Sequence, residues 1–66
     1  MMNYRVYLLS REGIEEEKYF TTEDEAKDFF YFAVSYRPRY YIEMRESNNL
    51  IVWYEEGTCK RAPRRA

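Results

Sequence analysis

The chain has 66 residues, with 11 Lys and Arg against 12 Asp and Glu, no His, one Cys, two Gly and two Pro. A chain this short accommodates one domain, because it buries only about 60 % of its unfolded surface and lies near the lower limit for folding alone. Hydrophobic residues make up 45 % and aromatic residues 20 %, which argues against end-to-end disorder and supplies a small core with large rings.

A lone Cys forms no internal disulfide, so a stapled secreted miniprotein is excluded and a reducing cytoplasm is the expected setting. The longest apolar run, Phe29 to Val34, falls far short of the roughly 20 residues of a membrane span, and no membrane partner is expected. Met1-Met2-Asn3-Tyr4-Arg5 has no hydrophobic signal region, so no secretory leader is expected.

The formal charge of −1 conceals an uneven distribution. Residues 1–57 carry seven positive and twelve negative side chains, whereas residues 58–66 carry Lys60, Arg61, Arg64 and Arg65 and no acid. The shift at Gly57 predicts a compact domain over 1–57 and a flexible basic tail over 58–66.

Tyr4 to Leu9 is β-branched and aromatic and predicts a strand, followed by a turn at Ser10-Arg11-Glu12-Gly13. Gly13 suits the left-handed position of a short hairpin loop. Ile14 to Phe20 predicts the return strand, and Glu15, Glu16 and Glu17 mark it as an edge protected from pairing with other chains. Thr22-Glu23-Asp24-Glu25 predicts a helix start, with Thr22 as the cap, Glu25 as its capping-box partner and three acids at the positive end of the dipole. Around the helix Tyr36, Phe29, Ala33, Ala26, Phe30 and Val34 share one apolar face, with Phe32 at its margin. Pro38 ends the helix by pushing Arg37 out of helical geometry. Arg39 to Arg45 and Leu50 to Glu55 predict a second hairpin around Ser47-Asn48-Asn49, where Asn tolerates positive φ.

The resulting order is ββαββ, an α+β fold with one helix packed on a four-stranded, mainly antiparallel sheet. Alternation directs Tyr4, Val6, Leu8, Ile42, Met44, Val52 and Tyr54 toward the helix. The opposite face then carries Arg5, Tyr7, Leu9, Tyr19, Tyr41, Glu43, Arg45, Ile51 and Trp53. Solvated sheet faces are normally polar, so this much aromatic surface predicts an interaction site. Tyr, Trp and Arg are also the residues that dominate binding hot spots. The bland alternatives are a register shifted by one residue, or a bulge or the tail covering the face.

With no His, the commonest general base and metal ligand is absent, and Ser-His-Asp or Cys-His chemistry is impossible within one chain. Two glycines make no nucleotide-binding loop, and neither precedes a Lys. Cys59 beside Lys60 and Arg61 reads as an incidental exposed thiol. The acidic cluster of Glu23, Asp24, Glu25 and Asp28 is explained by the helix start rather than by a metal. No catalytic residue, metal or cofactor is expected.

Tyr19-Phe20-Thr21-Thr22 entering a helix at Glu25-Ala26 resembles the small arm-binding domains at the front of phage-type tyrosine integrases. The resemblance spans residues 4–36. Those domains enter DNA with a three-stranded basic sheet, whereas here two strands precede the helix and the second is acidic. No functional residue is carried across and no family is assigned.

The sequence therefore reads as a small non-enzymatic interaction protein, comparable in size and composition to phage or plasmid accessory and inhibitor proteins. Tyr7, Tyr19, Tyr41, Trp53, Arg5 and Arg45 are its candidate partner-binding residues, for a second copy in a homodimer or for a foreign protein. The alternative is a weak nucleic-acid binder using Lys60, Arg61, Arg64 and Arg65 with the Arg/Tyr sheet face.

Overall fold

A computed structural model of the protein describes residues 3–63. Its elements run β1 (Tyr4–Ser10), β2 (Gly13–Phe20), α1 (Glu23–Tyr36), β3 (Tyr41–Glu46), β4 (Asn49–Glu55) and β5 (Thr58–Arg61). The strands form one antiparallel sheet in the order β2-β1-β3-β4-β5. The α+β class with one helix on an antiparallel sheet holds, but the sheet has five strands where the sequence suggests four.

The fifth strand comes from the segment expected to be tail. Glu56 and Gly57 have φ of 48° and 84°, so both central residues of the turn are left-handed. That is the backbone of a two-residue hairpin turn whose twist matches its strands. It returns Thr58–Arg61 along β4, with Glu55 opposite Thr58 and Val52 opposite Arg61. Charge alone marks these residues as tail, whereas backbone pairing to an open edge makes them a strand. Arg64 and Arg65 lie outside the described residues.

The other turns obey local chemistry. Gly13, at φ 119°, closes the β1–β2 hairpin. In the β3–β4 turn the left-handed residue is Ser47, at φ 54°, rather than an Asn. Its N–H donates to the carbonyl of Asn3 at 2.9 Å, so the residue just before β1 holds this turn.

Thr22 caps α1 as its sequence predicts. Its Oγ1 accepts from the Glu25 N–H at 3.3 Å and donates to the Glu25 carboxylate at 3.0 Å. At the other end the Arg37 N–H donates to Ala33 O at 2.7 Å before Pro38. The Tyr54 hydroxyl donates to Pro38 O at 2.7 Å, tying the exit of the helix to β4.

The helix lies over β1, β3 and β2. Val6, Leu8, Ile42, Met44, Val52 and Tyr54 form the core with Ala26, Phe30 and Ala33, and Tyr4 packs at its margin. All seven residues assigned to this face by alternation are therefore on it. Two irregularities break the alternation elsewhere. Glu15 has no partner between the Leu8–Glu16 and Leu9–Ile14 pairs, and Ile51 has none between Met44–Val52 and Arg45–Leu50. An unpaired extra residue of this kind bends its strand and reverses the facing of the residues beyond it. Ile51 consequently packs against the core, not on the opposite face where strict alternation puts it.

The helix face also differs from its wheel. Tyr36 is 61 % exposed and Phe32 59 %, because the sheet covers only the centre of the wide apolar arc.

Candidate interaction surface

The helix occupies one side of the sheet, and the register places the other side's residues in rows across it. Glu17, Tyr7, Glu43, Trp53 and Lys60 are successive cross-strand neighbours from β2 to β5. Tyr19, Arg5, Arg45 and Leu50 form the next row. The six candidate residues Arg5, Tyr7, Tyr19, Tyr41, Arg45 and Trp53 thus share this side of the sheet, the open face.

At its centre stands a carboxylate. Glu43 is only 7 % exposed although no layer of backbone covers it, because Tyr7 from β1 and Tyr41 and Arg45 from its own strand close over it. Its Oε2 accepts from the Tyr7 hydroxyl and, at 2.8 Å, from Arg45 Nε. Its Oε1 accepts from the Tyr41 hydroxyl at 2.8 Å. Arg45 Nε also lies 3.2 Å from the Tyr7 oxygen, and its Nη1 donates to Asn48 O at 3.2 Å.

Burial pushes the Glu43 carboxyl upward, but donation from Tyr7, Arg45 and Tyr41 outweighs it and holds the group below the usual carboxylate range. Donation to Glu43 and Tyr7 raises Arg45, so it stays charged. Burial and its hydrogen bond to Glu43 raise the Tyr41 hydroxyl, which remains protonated. The cluster is a single ionised acceptor satisfied by three donors.

Arg5 extends it toward β2. Its guanidinium lies 4.4 Å from the Tyr7 ring centroid, and its Nε approaches Glu17 Oε2 at 3.0 Å. That approach is an ion pair by distance but is not aligned as a hydrogen bond, leaving the buried Nε without one. On the far edge Lys60 Nζ lies 3.2 Å from Glu55 Oε1.

The candidate residues therefore divide. Tyr7 is buried and serves as a donor beneath the surface. Tyr41, Trp53, Arg5 and Arg45 are half-buried, and Tyr19 is 50 % exposed. On the open face one carboxylate fixes the Tyr7 and Tyr41 hydroxyls and the Arg45 guanidinium, so the face is not an uninterrupted aromatic platform. Glu43 is the residue whose importance the sequence understates. Its only signal is its alternation with Tyr41 and Arg45 on a central strand.

No family model, curated protein or solved structure matches this chain. The local resemblance over residues 4–36 accordingly adds no residue roles. Among the described residues no three Cys, Asp or Glu side chains converge as a metal site requires. A concavity of about 830 Å³ opens beside the start of the helix, lined by residues that include Glu23, Glu46, Ile51, Arg61 and Pro63. It contains no nucleophile beside a base. Of the residues proposed to hold a phosphate backbone, Lys60 is paired with Glu55 and Arg61 lines this concavity.

Proposed function

We propose that the protein is a non-enzymatic interaction module that engages a protein partner through the open face of its sheet. One observation carries this reading. The open face holds Trp53, Tyr41 and Tyr19 beside cations whose charge is already matched: Arg5 by Glu17, Arg45 by Glu43 and Lys60 by Glu55.

Tyr41, held by Glu43, loses little freedom when a partner covers it, and Trp, Tyr and Arg dominate such contacts. Matched charges also distinguish the partner class. A nucleic-acid backbone gains affinity by releasing counterions from unneutralised Lys and Arg, and here phosphates would have to displace carboxylates. A protein rim, in contrast, can extend these pairs. The balance of −5 over residues 1–57 favours approach to a basic protein surface, where attraction of opposite charge speeds encounter.

The test is quantitative capture of proteins from the source cells on immobilised wild type, Trp53→Ala and Tyr19→Ala. Truncating a hot-spot ring costs about 2 kcal/mol, so a specific partner's affinity for Trp53→Ala should fall about 30-fold. Trp53 fluorescence is then followed during titration with a single-stranded oligonucleotide. A saturable response that vanishes as salt rises would replace this reading with the nucleic-acid one. Equal capture by wild type and both variants would remove the open face from binding.

A further inference from the structure

A second surface lies on the opposite side of the molecule. Glu25, Phe29, Phe32 and Tyr36 recur at intervals of four, three and four, so they form one stripe along α1. Phe32 and Tyr36 are the two most exposed large apolar side chains among the described residues, and their rings stack at 5.6 Å and 12°. Phe29 continues the ladder, 6.3 Å from Phe32 and 5.6 Å from Phe20 of β2. The Lys18 ammonium lies 5.5 Å from the Phe29 centroid and the Arg37 guanidinium 4.6 Å from that of Tyr36.

Charge is segregated at the two ends of the stripe. Asp24, Glu25 and Asp28 are exposed near its start, and Arg37 and Arg39 are exposed just past its end. None of these five makes an ion pair among the described residues. An acidic start, an aromatic middle and a basic end are complementary to themselves once reversed. A two-fold axis between Phe29 and Phe32 would set each of these rings against the other in the facing helix. The same axis would bring Arg37 of each copy to Asp24 and Glu25 of the other, the isologous pattern of a two-fold dimer.

We propose that two copies of this chain associate through this flank of α1, with the helices antiparallel. The inference is independent of the open-face reading, because it uses the other side of the sheet. Its size sets its strength. Two rings about six-tenths exposed offer on the order of 100 Å² each. A standard interface buries about 800 Å² per partner, so the dimer is weak and concentration-dependent.

Sedimentation equilibrium from micromolar to millimolar concentration tests it, with circular dichroism confirming that each variant is folded. The mass should rise from one chain to two. Phe32→Ser and Arg37→Glu should each raise the dissociation constant about tenfold, and Asp24→Lys combined with Arg37→Glu should return it to within about threefold of wild type. Trp53→Ala should leave it unchanged. A mass of one chain at every concentration overturns the proposal. So does a dimer that survives both Phe32→Ser and Arg37→Glu, or one that is lost in Trp53→Ala.

Discussion

Replacing Glu43 by Leu removes the acceptor shared by three donors while keeping a side chain of similar size on the central strand. Tyr7, which is 8 % exposed, then holds a buried hydroxyl without an acceptor. Such an orphan costs about 1–3 kcal/mol. Arg45 is about one-third exposed and keeps its bond to Asn48 O, so water limits its loss to the lower end of what a broken buried pair costs. Tyr41 turns to solvent at smaller cost. Together these predict a destabilisation of about 2–4 kcal/mol, a large share of the about 3–10 kcal/mol available to a chain this short. Tyr7→Phe alone leaves the carboxylate two donors and should cost about 1 kcal/mol. In Glu43→Leu/Tyr7→Phe no orphaned hydroxyl remains, so the double variant should be more stable than the sum of the singles by about 1–2 kcal/mol. Urea unfolding followed through Trp53, the only tryptophan and the cross-strand neighbour of Glu43, reads these values directly. With a slope of about 1 kcal/mol per molar, Glu43→Leu should shift the midpoint by about 2–4 M. If that variant is unfolded without urea, Glu43→Gln carries a milder form of the same cycle: its amide oxygen still accepts on one side, but its NH2 cannot accept on the other, and the charge is lost, at a cost of about 1–2 kcal/mol. Additive effects within about 0.5 kcal/mol would refute the argument that the donors depend on one shared carboxylate.

The same cluster predicts pH dependence at both ends of the scale. Glu43 titrates below its unfolded value of roughly 4.3, so its contribution is complete above that pH and is lost as pH falls through the folded value; Glu43→Gln should flatten this acid limb of the urea midpoints. The Tyr41 hydroxyl titrates above its unfolded value of roughly 10, so its contribution is complete below that pH and is lost as pH rises past it, and Tyr41→Phe should reduce the alkaline slope. Thr22→Ala should lower stability by about 1 kcal/mol by leaving the Glu25 N–H without its cap, and Thr22→Ser should restore most of it, as thermal or urea melts will show.

What the sequence makes legible is what short-range periodicity encodes. Val6, Leu8, Ile42 and Met44 alternate strictly on the two central strands, and Thr22 with Glu25 starts the helix through bonds made within one turn. The features that escape it depend on pairing between distant segments. Whether Thr58–Arg61 is strand or tail is decided by the free edge of β4 and the left-handed pair Glu56-Gly57, and four residues with two cations carry no strand signature of their own. The extra residues Glu15 and Ile51 leave no mark in the hydrophobic pattern, yet the second is enough to move Ile51 to the core side. Glu43 reads as a solvated acid. Its burial arises because Tyr7 comes from β1, 36 positions away in sequence, and closes over it with Tyr41 and Arg45.

The sheet edges bear on how such a chain can meet another. Strand addition favours a long, regular and uncharged edge, and neither edge here is one: β2 runs eight residues but is bulged and acidic, and β5 is short. On β2 the candidate ladder is interrupted at Glu15 and flanked by Glu16 and Glu17, so a second copy docking there would oppose like charges. On β5 the edge is four residues long. The two surfaces proposed for association, the open face and the helix flank, are accordingly side-chain surfaces, and they lie on opposite sides of the sheet. A dimer formed through the flank would leave both open faces pointing outward. Two partner sites held in one particle would then bind a clustered or repeated partner by avidity, the second contact being intramolecular once the first has formed. A weak interface on the helix and a modest one on the sheet are thus compatible with firm binding, provided the partner presents its site at least twice.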